Sequence, residues 1–132
     1  MKQRERKGGS EMEIVVVAIQ IIIALGIFNV WVLRFGRATQ WRGGSADNMK
    51  AEFETYGLPG WSVPVVGFLK LLFAACLVAG IWFPVLVRPA AIGIAVLMLG
   101  AVVMHVKVKD PARKSAPALT MLILSVIVAI AR

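Results

Sequence analysis

The sequence predicts an all-α integral membrane protein: a four-helix bundle with a short amphipathic helix in its first loop. Three observations carry that prediction. Hydrophobic residues make up 59% of the 132 positions and the mean hydropathy is +0.81, well above the roughly 45–50% apolar usage of a soluble domain. The apolar residues fall in blocks with sharp edges, and the basic residues collect between the blocks rather than along one face.

The blocks set the spans at about 14–33, 63–83, 86–106 and 117–131. In the first, only Gln20 and Asn29 are strongly polar. The second holds one charge, Lys70, and the third is broken only by Arg88 and His105 near its ends. About 20 apolar residues cross the hydrocarbon as a helix, so three blocks qualify outright. The fourth, with Thr120 and Ser125, is shorter and depends on packing. Each block must be helical, because a bilayer offers its backbone no other hydrogen-bond partner. The first block is too long for a signal-peptide core and lacks a small-residue cleavage site, so it reads as a retained helix. Residues 1–10, polar and containing Gly8-Gly9-Ser10, read as a disordered basic tail, and residues 11–132 as one domain.

The connections differ in length. Helices two and three are joined so tightly, through Trp82-Phe83-Pro84, that they form an antiparallel hairpin. The segment from Arg34 to Ser62 is the one long loop. Within it Ser45 to Asn48 offers helix caps, and Met49, Phe53 and Tyr56 recur at i, i+4 and i+7 opposite Lys50, Glu52 and Glu54. That pattern predicts a helix over about 46–56, stopped by Gly57 and Pro59. Trp31, Trp41 and Trp61 suit the headgroup belt.

Several function classes are excluded. A net charge of +8 suggests nucleic acid at first sight, but positives that flank membrane helices anchor to lipid phosphate and set orientation. Nucleic acid is therefore not an expected partner. The two sides carry nearly equal numbers of Lys and Arg, which leaves orientation open. A single cysteine, Cys76, cannot exchange disulfides within the chain, and one histidine cannot supply a bis-histidine haem. A multidrug-type cation exporter needs a membrane carboxylate, and none lies within the four blocks. No metal site is expected, and nothing in the chain holds a flavin or an iron–sulfur cluster.

Alternating helix direction places the end of helix one, the start of two, the end of three and the start of four on one side. Asn29, Arg34, Lys70, His105 and Asp110 all fall there, and the long loop must cap the same mouth. Lys70 lies about 10 Å along its helix from Val63, a depth at which a charge should face protein or water. The alternative is a lysine that snorkels to the headgroups. His105 is either a proton donor at the mouth or an interfacial residue. Candidate ligand-binding residues are Lys70, His105, Arg34, Asn29, Tyr56, Trp61 and Phe53. Asp110, Glu52 and Glu54 are candidate counter-ions, and Arg37, Arg42, Lys107 and Lys109 candidate lipid or partner anchors. No catalytic residue is assigned.

A run of short motifs adds a family reading. Tyr56-Gly57-Leu58-Pro59-Gly60-Trp61 is followed by Val65-Val66-Gly67-Phe68-Leu69-Lys70, then by Leu77-Val78-Ala79-Gly80-Ile81-Trp82-Phe83-Pro84. Met98 to His105 and Lys109-Asp110-Pro111 complete the series. In order and spacing, from about Asn29 to the C-terminus, these resemble the DoxX and DoxX-like family of small four-helix membrane proteins. The resemblance implies a four-helix bundle in a prokaryotic cytoplasmic membrane. It also implies a link to quinone-dependent oxidoreduction, as in the small subunit of a thiosulfate:quinone oxidoreductase, or an assembly role. Many relatives carry an acidic residue near the position of Lys70, so a mechanism needing a carboxylate there does not carry over. Two functions are therefore expected to compete. One is an accessory oxidoreductase subunit holding a quinone or lipid, with electrons from a membrane-associated redox partner. The other is a non-catalytic scaffold gripping a partner or anionic lipid. Neither intrinsic cofactors nor a defined oligomer follow from the sequence, and homo-oligomerisation is left open.

Overall fold

A computed structural model describes residues 2–132. Helix α1 spans Lys2–Phe28 and continues as a π-helical turn over Asn29–Leu33. The loop helix α2 spans Met49–Thr55, α3 Ser62–Ala79, α4 Val87–Lys107 and α5 Ala116–Ala131, with 3₁₀ turns at Pro84–Leu86 and Ala112–Ser115. No strand occurs among the described residues. Among the described residues four segments are long and apolar enough to cross a membrane: Ser10–Leu33, Ser62–Ala79, Pro84–Lys107 and Ala112–Ala131. The fourth reaches 20 residues because its 3₁₀ turn extends it. The protein is an integral membrane four-helix bundle.

Helices α1, α3, α4 and α5 pack in a ring, each against its chain neighbour, with α5 returning to α1. Ile23, Ile27, Leu77, Val87, Ile94 and Val128 fill the centre. Outside, Ile14, Leu25, Phe68, Val96, Leu99 and Val103 are exposed and meet lipid. Gln20, the one polar residue at the middle of α1, is fully buried; its Nε2 donates to the carbonyl of Leu77 at 2.8 Å. Leu77 lies in the last turn of α3, where carbonyls lack helical donors, so Gln20 caps a neighbouring helix from the side. Ser125 is buried likewise and donates to the carbonyl of Met121 one turn earlier.

Some boundaries differ from the sequence reading. The helical path starts at Lys2, so residues 2–10 of the expected tail form the first turns of α1, with Met1 outside the described residues. Gln, Arg, Glu and Lys are strong helix formers, and polarity alone does not distinguish a solvated helix from a coil. The second span ends at Ala79 rather than near 83, because the chain turns through Gly80 to Phe83 into the hairpin. The loop helix is shorter than 46–56: Asn48 is its N-cap, accepting from the Ala51 amide at 2.8 Å. It ends where Gly57 takes a left-handed φ of 77° and the Leu58 amide bonds back to the Phe53 carbonyl, a Schellman stop.

Packing across the α1–α3 contact depends on a missing side chain. A Cβ on Gly67 would lie 2.8 Å from the Trp31 ring, whereas one on Gly100 would meet nothing within 4 Å. Gly67→Leu should therefore lower thermal stability in detergent by about 1–3 kcal/mol through overpacking. Gly100→Ala should hold or raise it, by up to about 1 kcal/mol of helix propensity. Equal melting temperatures for the two variants would contradict this packing.

Candidate functional site

The polar residues expected at one mouth do converge there, around a cavity of about 690 Å³. Its walls come from the end of α1, the loop, α3, α4 and the start of α5. Asn29, Arg34, Phe53, Tyr56, Lys70 and His105 all line it. Local backbone features aim these residues. The π turn bonds the Arg34 amide to the Asn29 carbonyl at 2.9 Å, inserting one residue into the helical register. Trp31 within that turn is buried, and α3 meets its ring with the bare backbone of Gly67.

Helix α2 closes the mouth and is held there by a chain of polar contacts. Arg42 is only 3% exposed. It donates to Glu52 at 2.8 Å, to the Arg37 carbonyl at 2.8 Å, and to the carbonyls of Arg34 and Phe35. Three carbonyls just beyond the end of α1 thus share one guanidinium. Glu52 also accepts from the Gly43 amide at 3.1 Å and from the Tyr56 hydroxyl at 2.7 Å. The Tyr56 hydroxyl lies 3.5 Å from Nε2 of His105, whose Nδ1 is 2.8 Å from Asp110. Asp110 in turn accepts from the Gly44 amide at 3.0 Å, with Lys114 at 3.8 Å. Lys107 donates to the Tyr56 carbonyl at 2.8 Å. The loop is thereby tied to α1 at one end and to α4 at the other.

Asp110 reaches His105 because α4 ends in a second Schellman stop. Lys109 takes a left-handed φ of 58°, and the Asp110 amide bonds to the His105 carbonyl at 3.0 Å. Burial would raise the Asp110 carboxyl pKa, but the His105 hydrogen bond, the Gly44 amide and Lys114 outweigh it and hold the group below its ordinary value. The carboxylate is thus ionised and accepts from Nδ1–H. The Tyr56 hydroxyl has a single proton. Donated to Glu52, it leaves a lone pair facing Nε2, so the 3.5 Å contact is a hydrogen bond only when His105 carries a proton on both nitrogens.

Lys70 stands apart from this chain of contacts. It is 9% exposed and lines the cavity, with its ammonium 5.2 Å from the centroid of the Trp31 ring. Among the described residues it makes no hydrogen bond or ion pair. The lysine is held inside rather than snorkelling out, and a cation over an indole face is attracted by the ring quadrupole. Trp31 also packs edge-on to Phe53, with ring centroids 5.8 Å apart.

A model of the DoxX-like family matches residues 30–128. The chain belongs to the DoxX-like family. No curated protein and no solved structure matches it. In this DoxX-like chain several expected roles change. Glu52, placed on the solvent face from sequence, is buried, because 49, 52, 53 and 56 share one helical face at i, i+3, i+4 and i+7. Of the candidate counter-ions, Glu52 makes its ion pair with Arg42, although its charge also reaches Lys70, and Asp110 pairs with His105; Glu54 is exposed and lines an outer groove. Of the expected anchors, Arg42 turns inward and the Lys107 ammonium reaches back to the loop, because acceptors await them there. Arg37 and Lys109 are exposed. Trp61 is 68% exposed and does not line the cavity, whereas Trp31, assigned to the headgroup belt, does. The π turn that brings Trp31 inward has no signature in the Asn29–Leu33 residues.

Tyr56, the chain's one tyrosine, offers a direct check on the lid. Burial, then the Glu52 hydrogen bond and the negative charges of Glu52 and Asp110, raise its pKa above the ordinary 10.0 despite Arg42. The folded state thus holds the neutral phenol. The stability it contributes is complete below pH 10 and is lost as pH rises through the raised folded value. Phenolate absorbance should be absent from the folded protein at pH 10 and appear in the denatured protein near that pH. Coincident titration of both would refute the buried lid.

Proposed function

We propose that this DoxX-like protein is an accessory membrane subunit whose cavity holds one membrane-borne amphiphile, a quinone or a lipid. Its oxygen-bearing head would lie toward Lys70 and its apolar body toward the bundle and the bilayer. The observation that carries this reading is Lys70 itself: a buried lysine lining the cavity that makes no hydrogen bond or ion pair among the described residues. A charge at such depth is expensive unless something solvates or pairs with it. The cavity volume falls within the roughly 300–1,000 Å³ of small-molecule sites, and its lining combines apolar walls with a few convergent polar groups.

The family's link to quinone-dependent oxidoreduction fits the same arrangement. A quinone head gains negative charge on reduction, and preorganised donors stabilise charge where it develops. Lys70 would act in that way, with electrons supplied by a partner. Ala101 is a half-buried lining residue on α4, so Ala101→Phe should fill part of the cavity. Extraction of the purified protein into organic solvent, followed by mass spectrometry, should find a retained lipid-soluble molecule. Its occupancy should fall about tenfold in Ala101→Phe, equivalent to about 1.4 kcal/mol. Unchanged occupancy, or no such molecule in the wild type, would remove this reading.

Exposed Arg37 and Lys109, at the rim of the closed mouth, favour a second role in assembly. A scaffold would present these charges to an acidic partner or to anionic lipid. Arg37→Glu with Lys109→Glu should then abolish co-purification of a larger complex while leaving the retained amphiphile in place. Indifference of complex recovery to both reversals would count against the scaffold role.

A further inference from the structure

The charges around the cavity do not balance, and their imbalance bears on what it holds. Each carboxylate at the mouth already has a cation. Glu52 is bound by Arg42 at 2.8 Å, and its other oxygen accepts from Gly43 and Tyr56. Asp110 is bound by His105 at 2.8 Å, with Lys114 and the Gly44 amide beside it. Glu54 is exposed and lines an outer groove. Arg34, also on the cavity wall, is exposed and donates to Asn29 at 3.3 Å. That leaves the ammonium of Lys70 inside over an indole face, with no hydrogen bond or ion pair among the described residues; the one carboxylate whose charge reaches it, Glu52, is already held by Arg42.

We infer that the amphiphile bound here carries a formally negative oxygen head, and that it is a single-chain carboxylate of the fatty-acid class paired with Lys70. This rests on the amphiphile reading above and chooses within it. An indole face attracts a cation but supplies no acceptor lone pair for N–H donors. A carboxylate supplies both the opposite charge and the acceptors, and charge-assisted hydrogen bonds of this kind are about twice as strong as neutral ones. A neutral quinone carbonyl supplies only the acceptor.

Depth separates the two sources of an anionic head. Lys70 lies about 10 Å along α3 from Val63, in a cavity that Phe53, Leu58 and Tyr56 of the loop also line. A two-chain phospholipid keeps its phosphate at the interface and would have to leave that level to reach Lys70. A fatty-acid carboxylate has no such tether, and its one chain can run along the apolar wall formed by Ile27, Val66 and Met98.

The test is a binding series with the full chain in nanodiscs, comparing oleate, oleyl alcohol, a single-chain lysophosphatidate and a neutral short-chain quinone. Oleate should bind at least about thirtyfold more tightly than oleyl alcohol or the quinone, as expected for a desolvated charge pair. Lys70→Gln should abolish that preference and Lys70→Arg should keep it, both variants being checked for native unfolding temperature. If either variant is misfolded, the ranking of oleate against oleyl alcohol on the wild type decides alone. Equal binding of oleate, alcohol and quinone would overturn the charged head while leaving the amphiphile cavity intact, and an oleate preference that survives Lys70→Gln would overturn the pairing with Lys70. Tighter binding of lysophosphatidate would overturn the carboxylate in favour of a phosphate head. Failure of all four to bind would remove both this inference and the reading beneath it.

Discussion

The contact between Arg42 and Glu52 holds the mouth of this protein together. One guanidinium takes the carbonyls of Arg34, Phe35 and Arg37 where α1 ends, and joins them to a carboxylate on the loop helix. A helix of seven residues has little stability of its own in water. What keeps α2 folded is its docking, through Met49, Glu52, Phe53 and Tyr56, onto the bundle. From Glu52 the contacts pass through Tyr56 to His105 and Asp110 on the far side. Removing one member of a buried ion pair leaves the other charge uncompensated, typically at about 3–5 kcal/mol. The docking of the loop helix against the end of α1 depends on this one pair.

Two buried cations at the same mouth illustrate opposite treatments of charge. Arg42 is saturated by protein acceptors, and its planar fork suits several of them at once. Lys70 is nearly as deeply buried but faces the cavity and an aromatic ring. The first arrangement is structural, since every donor direction is used within the fold. The second leaves donor capacity turned toward the cavity. That difference, rather than the overall abundance of positive charge, is what marks a site.

Much of this was legible in the sequence. The four spans follow from apolar block length, because a bilayer enforces helix wherever it is crossed. The convergence of Asn29, Arg34, Lys70, His105 and Asp110 follows from counting helix directions. The burial of Met49, Phe53 and Tyr56 follows from their spacing. The charge of Glu52 points to solvent, although its position shares their face. The inward turn of Arg42 was not legible, since no local pattern announces an acceptor ten residues away. Nor was the role of Trp31: a π turn is one extra residue in a helix, and it rotates the residues beyond it without altering the hydrophobic pattern. Trp61 was a natural candidate by residue type, yet it lies outside the cavity.

The ties that close the lid join distant parts of the chain. Gly44 meets Asp110 and Lys114 across 66 and 70 residues, and Lys107 meets Tyr56 across 51. Membrane helices insert first and associate afterwards, and contacts of long sequence separation form late because their loop-closure entropy must be met first. Before α4 and the start of α5 are in place, the loop lacks most of its partners. The cavity is therefore completed only at the last stage of biogenesis. A bilayer molecule could settle between the helices during their assembly, before the lid closes over it.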